Sequence, residues 1–104
     1  MFDPDSMMNF LDILRNGECI RRETIGNDTF TNGPYTITID TCFTRDTNRY
    51  ETAIIVNRGE IVVVEDYDNS DDAAIGHDSW INACKQQSFS FYNIQTGEMY
   101  TYEV

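Results

Sequence analysis

Residues 49–85 constrain the fold of this chain more than any other stretch. Residues 50–56 are rich in β-branched and aromatic side chains, residues 57–59 (Asn-Arg-Gly) are typical of a tight turn, and residues 60–65 resume a Val/Ile run. An acidic loop over residues 66–70 then leads into an amphipathic segment. This order predicts a β-hairpin, a loop and a helix.

The amphipathic segment predicts one long helix over residues 70–85, packed across a sheet. Ser70 is placed to cap its N terminus, Asp71 and Asp72 fall in the first turn, where the helix dipole favours carboxylates, and Lys85 falls in the last turn. Trp80 is expected to be the most buried large residue of the helix. The apolar face follows helical spacing and consists of Ala73, His77, Trp80 and Cys84, flanked by Ala74 and Ile81.

The segments before residue 49 predict a short N-terminal helix and one or two strands. Met7, Phe10 and Leu14 lie on one face of the helix, which Gly17 ends. Residues 18–25 read as a first, irregular strand, and residues 26–34, which contain Gly, Asn, Asp and Pro, as a loop. Residues 35–44 alternate strictly, which predicts an antiparallel strand with Ile37 and Ile39 on the core face. The other face is expected to be polar and to point outward: Thr36, Thr38, Asp40, Cys42 and Thr44.

The C-terminal residues 88–104 predict a second hairpin. Phe89 and Phe91 alternate before a turn at residues 95–97, and Tyr100 and Tyr102 alternate after it. The whole order predicts a single α+β domain over residues 1–104. It consists of an antiparallel β-sheet, one long amphipathic helix packed on that sheet and a short N-terminal helix.

Charge excludes some partners. The chain has 18 acidic and 7 basic residues and a net charge of −11, and Lys85 is the only basic residue after position 58. Such a surface repels nucleic acid and anionic membranes and attracts basic proteins. No apolar run approaches the roughly 20 residues of a membrane span, and the N-terminal residues are acidic where a signal peptide is basic. We therefore expect a cytosolic protein, or one assembled there, that binds neither nucleic acid directly nor membranes.

The sequence favours no catalytic, cofactor or metal site. His77 is the only histidine, and its nearest carboxylate in sequence, Asp78, points off the apolar face, so we interpret His77 as a core residue bonded to a backbone carbonyl. The acids from Asp66 onward start like a calcium loop, but Asp71 and His77 stand where an EF-hand needs Gly and Glu. Phosphate-binding glycine loops and paired metal-ligating histidines are absent from the sequence. The three cysteines, Cys19, Cys42 and Cys84, fit no zinc pattern and are expected to be free thiols.

One combination of residues resembles a known group. A Tyr-Glu-Thr strand, a hairpin, Tyr67, an acidic helix start and a Gly-His-x-x-Trp helix occur in order. This pattern, which covers about residues 41–85, resembles small uncharacterised proteins of tailed phages and prophages. Physically, it suggests that Gly76 lets the helix approach the sheet closely, with His77 and Trp80 making the contact. The resemblance implies a phage or mobile-element origin and carries no activity with it.

Two functions of different classes follow as hypotheses. The first is a small acidic inhibitor or adaptor whose carboxylates replace nucleic-acid phosphates in the basic groove of a host DNA- or RNA-binding complex. Its surface, named here the acidic patch, consists of Glu65, Asp66, Asp68, Asp71, Asp72 and Asp78. Such charge also serves solubility alone. The alternative is a phage virion or assembly component, such as a head, connector or tail accessory protein. It would bind other virion proteins through apolar residues, namely Met7, Phe10, Leu14, Tyr100 and Tyr102.

Overall fold

The computed structural model describes residues 23–104, which form two antiparallel sheets and one helix. Four strands pair in chain order, and the last two strands form a separate hairpin. The α+β class is confirmed, whereas the short N-terminal helix with Met7, Phe10 and Leu14 lies outside the described residues. The elements are β1 (Thr24–Asn32), β2 (Tyr35–Thr44), β3 (Arg49–Val56), β4 (Ile61–Tyr67), α1 (Ser70–Ala83), β5 (Ser88–Tyr92) and β6 (Met99–Glu103).

The central hairpin, β3–β4, has the turn that its sequence predicts. Asn57 and Arg58 have φ values of 54° and 58°, and the Gly59 N–H donates to the Val56 carbonyl at 2.9 Å. Two successive positive φ angles are those of a type I′ turn, whose twist matches that of the flanking strands. The turn therefore fixes how β3 pairs with β4.

Residues 26–34 were predicted to form a loop, but residues 26–32 belong to strand β1. β1 pairs along its length with β2, and the chain reverses at Gly33, where φ is 58°. Polar side chains support this edge pairing. The hydroxyls of Thr29 and Thr38 lie 2.9 Å apart across the two strands. The sequence misled because β propensity depends on cross-strand partners, which an Asn- and Thr-rich stretch does not reveal.

The second face of β2 was predicted to be open, which is right for Thr36 and wrong for the second half of the strand. Asp40, Cys42 and Thr44 are all buried. Asn27 Nδ2 donates to Asp40 Oδ1 at 3.0 Å, and the Thr44 hydroxyl is hydrogen-bonded to that of Thr47. Polar groups can be buried when they have hydrogen-bond partners. Alternation therefore separates the two faces of a strand without showing which of them meets water.

The main apolar core lies on the other face of the four-stranded sheet, which both α1 and the β5–β6 hairpin cover. Helix α1 crosses all four strands, and the Ile94 N–H after β5 donates to the Val63 carbonyl of β4 at 2.9 Å. Cys84 is a free thiol, as predicted, and burial raises its pKa to about 12, whereas Cys19 lies outside the described residues. The core cluster contains Ile37, Ile39, Ile54, Val56, Val62, Val64, Cys84, Phe89 and Phe91.

The ends of α1 differ from the predicted ends. Asn69, and not Ser70, is the N-cap: its side-chain oxygen accepts from the Asp72 backbone N–H at 2.8 Å. The helix ends at Ala83, so Lys85 lies beyond its last turn, with its Nζ 5.4 Å from the centre of the Phe30 ring. Asn and Ser are comparable N-caps, and the strand-like backbone of Asn69 decides between them.

Candidate functional site

A line of hydrogen-bonded side chains runs between α1 and the four-stranded sheet. We call it the polar network. Its centre is inaccessible to solvent, since Thr41 and Thr52 are 0% exposed, whereas the Asp28 side chain at one end is 55% exposed. In order, its members are Asp28, His77, Thr41, Thr52, Tyr67, Glu65 and Trp80.

The first half of the network is built around His77. Its Nε2 lies 2.7 Å from Asp28 Oδ2, and its Nδ1 lies 2.7 Å from the Thr41 hydroxyl oxygen. Thr41 is directly opposite Thr52 in the β2–β3 register, and their hydroxyl oxygens are 2.6 Å apart. The sheet register therefore places two threonines side by side beneath the ring.

The second half reaches the surface at Glu65. The hydroxyls of Thr52 and Tyr67 lie 3.0 Å apart, and the Tyr67 O–H donates to Glu65 Oε1 at 3.0 Å. The Trp80 indole N–H donates to the same oxygen at 2.9 Å. Burial is the main reason that the pKa of Tyr67 is raised to about 12, so this phenol keeps its proton near neutral pH.

Two glycines make room for the network. A Cβ atom on Gly26 would lie 2.5 Å from His77 Nε2, and one on Gly76 would overlap the hydroxyl and ring of Tyr67. The prediction that Gly76 allows a close approach of helix and sheet is confirmed. Real Cβ atoms essentially never come this close to a neighbour, so a side chain at either position must displace a network member.

Gly76→Ala is expected to destabilise the protein by about 1–3 kcal/mol, the usual cost of overpacking a filled site. Helix propensity alone gives the opposite sign, a gain of about 1 kcal/mol when alanine replaces glycine. Urea unfolding of Gly76→Ala beside Ser79→Ala, an exposed position of the same helix, separates the two effects. A stabilised Gly76→Ala protein would contradict the close packing against Tyr67.

His77 was predicted to bond to a backbone carbonyl, and the structure shows different partners. Both ring nitrogens meet side chains, and the carboxylate is Asp28, which is 49 positions away on β1. Because β1 was predicted to be a loop, this partner could not be predicted.

Trp80 was predicted to be the most buried large residue of α1, but it is only half-buried, while His77 is 4% exposed. The reason is that the Trp80 indole N–H donates to the solvent-exposed Glu65, while the side chain packs against the outside of the core cluster.

Asp28, His77 and Thr41 have the order of an acid, a base and a hydroxyl nucleophile. In a hydrolase the nucleophile must reach the substrate carbon. Thr41 is 0% exposed, and its oxygen is already within hydrogen-bond distance of both His77 and Thr52. In this conformation the arrangement joins α1 to the sheet and presents no reactive atom to a substrate.

A surface depression opens where the network ends at Glu65. It lies between β4 and α1, and its lining combines two carboxylates, two hydroxyls and the side chain of Ile75, which is 68% exposed. Among residues 23–104, no Lys or Arg lines it. The lining residues are Glu65, Tyr67, Asp72, Ile75, Gly76 and Ser79.

The acidic patch contributes Glu65 and Asp72 to this depression, and part of the charge of the patch is compensated. Arg49 donates to Asp66 at 3.1 Å and to Asp68 at 2.5 Å, and these hydrogen bonds, Asp68 foremost, raise the pKa of Arg49. Asp71 and Asp78 are exposed and lie seven residues apart, on one outer face of α1. Arg49 therefore compensates two of the six carboxylates of the patch.

The aromatic residues of the alternative hypothesis lie on the inner side of the β5–β6 hairpin. Tyr102 stacks on Phe89 at 5.2 Å between ring centres, and Tyr100 stacks on Phe91 at 5.6 Å. Both tyrosines are half-buried against the core. The hairpin and its turn expose other apolar side chains, which are Tyr92, Ile94 and Met99.

Neither a metal cluster nor a relative gives this site a function. Within residues 23–104, no three His, Cys, Asp or Glu side chains are grouped so that they could hold a metal ion. No helix in the same part of the chain is long and apolar enough to cross a membrane. Comparisons with protein-family models, with curated proteins and with solved structures found no match.

The residues that carry the phage-protein resemblance converge in the structure. Thr52 of the Tyr-Glu-Thr strand, Tyr67, His77 and Trp80 all belong to the polar network, and Gly76 packs against Tyr67. In this protein the pattern therefore describes how a helix is attached to a sheet. The acidic patch lies beside this attachment.

Proposed function

We propose that the protein is a non-enzymatic, phage- or mobile-element-encoded binding protein that attaches to a basic host protein through the acidic patch. The observation that carries the proposal is the depression inside the patch. It combines Glu65 and Asp72 with exposed apolar surface at Ile75, and within the described part of the chain no Lys or Arg side chain lines it. Such a lining suits a Lys or Arg side chain, whose stem packs on apolar surface while its head meets carboxylates.

The remaining carboxylates of the patch extend this site. Asp71 and Asp78 project from the outer face of α1, beside Ile75. The groove of a nucleic-acid-binding protein presents several cations, and a set of fixed carboxylates can occupy it in place of phosphates. The proposal therefore includes inhibition of a host DNA- or RNA-binding complex, in the host cytoplasm, without direct contact with nucleic acid.

The polar network supports a non-enzymatic role. Its histidine and both threonines are buried, and each is hydrogen-bonded on both sides. The acidic residues of the patch, by contrast, are on the surface. The accessible groups are therefore carboxylates, which are suited to binding a basic protein.

Neutralising the patch is expected to weaken binding to the partner, which a pulldown from host lysate with mass spectrometry would identify. The test variant is Asp71→Asn with Asp72→Asn and Asp78→Asn. The control removes the same charge elsewhere on the surface, by Asp46→Asn with Glu98→Gln and Glu103→Gln. We expect association to slow in the test variant far more than in the control, because charge steering acts mainly on the on-rate.

Salt provides the second arm of this test. The Debye length falls from ~10 Å at 0.1 M salt to ~3 Å at 1 M, so association of the unmodified protein should slow as salt rises. The test variant should show a weaker salt dependence than the control variant. Equal binding by both variants, together with indifference to salt, would assign the acidic surface to solubility alone.

The alternative, a virion or assembly component, is favoured by the exposed apolar residues of the C-terminal hairpin. Met99 is 65% exposed and Tyr92 is 50% exposed, and the two are cross-strand partners. A subunit interface would bury such a pair. Light scattering at micromolar concentration separates the two proposals: a monomer favours the inhibitor, and a ring that Met99→Glu dissociates favours the virion component.

A further inference from the structure

The polar network contains five links in series between two carboxylates, and each link needs one proton. The links join Asp28 to His77, His77 to Thr41, Thr41 to Thr52, Thr52 to Tyr67, and Tyr67 to Glu65, all at 2.6–3.0 Å. The three hydroxyls supply three protons, and a neutral imidazole supplies one. With both carboxylates ionised, a neutral His77 leaves one link without a proton.

The Glu65 end sets the direction of the donors. Glu65 Oε1 accepts from both the Tyr67 O–H and the Trp80 N–H, as an ionised carboxylate can. Since the Tyr67 proton points at Glu65, its oxygen accepts from Thr52. Thr52 in turn accepts from Thr41, because each hydroxyl has a single proton.

This direction leaves the Thr41 oxygen to accept, so His77 Nδ1 must be the donor in a bond of 2.7 Å. On the other side of the ring, Nε2 lies 2.7 Å from a carboxylate oxygen of Asp28, which is also an acceptor. An unprotonated Nε2 would point its lone pair at a lone pair of the carboxylate oxygen, and this contact would be repulsive at 2.7 Å. A proton on Nε2 turns this contact into a charge-assisted hydrogen bond.

We infer that His77 is held in the folded protein as the doubly protonated imidazolium, donating from Nε2 to Asp28 and from Nδ1 to Thr41. The groups that face it are consistent with a cation. Asp28 approaches from β1, Thr41 from β2 with Thr52 of β3 behind it, and Tyr67 and Glu65 of β4 close the series. Its own helix contributes only the exposed acid Asp78 next to it.

The proton on His77 thereby becomes part of how α1 is attached to the sheet. Its loss leaves one of the five links without a hydrogen, in a series whose three inner links join buried side chains. The polar network is thus a proton-sensitive attachment between helix and sheet. This inference concerns the interior of the protein and does not rest on the proposed function.

The test is nitrogen NMR of the imidazole ring. His77 is the only histidine of the chain, so ¹⁵N-histidine labelling with a tag that lacks histidine gives one unambiguous ring spectrum. At pH 7 we expect two protonated nitrogens of similar shift. A spectrum with one protonated and one bare nitrogen would overturn the inference.

Tyr67→Phe tests whether the donor direction set at Glu65 keeps the second proton on the His77 ring, because it changes a residue that does not touch the ring. Without the phenol, Thr52 and Thr41 can reverse their donors, and a neutral His77 then completes the shortened series. The ratio of imidazolium to neutral ring should fall about tenfold or more, the effect of losing one charge-assisted hydrogen bond. Tyr50→Phe is the control, because its hydroxyl bonds to Glu23 at 2.7 Å, outside the network, and should leave the ratio unchanged.

Asp28→Asn provides a second variant on an exposed edge, in case the first does not fold. An amide can donate to a bare Nε2, so the imidazolium fraction should fall here also. An unchanged ring spectrum in a folded Tyr67→Phe or Asp28→Asn protein would show that the network does not hold the proton.

Discussion

Replacing Phe89 with alanine is expected to lower the free energy of unfolding by about 3–5 kcal/mol, the usual cost of removing a buried aromatic side chain. Phe89 is 6% exposed, stacks on Tyr102 and meets the edge of Tyr35 at 6.0 Å between ring centres. It belongs to the core cluster that joins the C-terminal hairpin to the four-stranded sheet. Urea unfolding followed by circular dichroism measures the loss.

Tyr92→Ala is the matched control for Phe89→Ala. Tyr92 lies on the same strand, but on its opposite face, and is 50% exposed. Its truncation should cost about 1 kcal/mol or less, mainly through the lower strand propensity of alanine. If the two variants lose equal stability, the hairpin does not pack its phenylalanines on the sheet as described.

Replacing Thr41 with valine should destabilise the protein by about 2–4 kcal/mol, although the two side chains have nearly the same shape. The change removes the partner of His77 Nδ1 and one of the two partners of the Thr52 hydroxyl, at the centre of the polar network. Each buried polar group left unsatisfied costs about 1–3 kcal/mol. Thermal and urea unfolding give the value.

Thr38→Val, on the same strand, controls for the loss of a hydroxyl as such. The Thr38 hydroxyl also pairs with a threonine across the sheet, Thr29 at 2.9 Å, but water reaches this pair. Water can replace the lost bond there, so a change within about 0.5 kcal/mol is expected. Equal effects of Thr41→Val and Thr38→Val would contradict a network that depends on its burial.

The sequence alone was sufficient for elements whose signals are local. The β3–β4 turn follows from Asn57, Arg58 and Gly59, and the alternation of Phe89 and Phe91 identifies β5. Helical spacing correctly placed Ala73, His77 and Cys84 on the inner face of α1. Periodicity predicts these features because it depends only on which neighbours along the chain share a face.

Features that depend on distant partners were decided by the tertiary structure. β1 is a strand because β2 pairs with it, and Asp40 is buried although its alternation with apolar residues suggested an outward position. Trp80 is half-buried because Glu65, on another element, accepts its indole N–H. Asn27, which bonds to Asp40, and Glu65, which bonds to Trp80, lie 13 and 15 positions from those residues, so neither is a near neighbour along the chain.

The polar network shows most clearly which features the sequence predicted and which only the tertiary structure decided. From the sequence, the spacing of Gly76, His77 and Trp80 on α1 predicted a close contact between helix and sheet. The tertiary structure alone supplied what lies on the other side of that contact, since it places the Asp28 carboxylate beside Nε2 and the Thr41 hydroxyl beside Nδ1. The physical reason is that a hydrogen bond requires two groups within about 3 Å, and only the folded sheet sets that distance between residues so far apart in sequence.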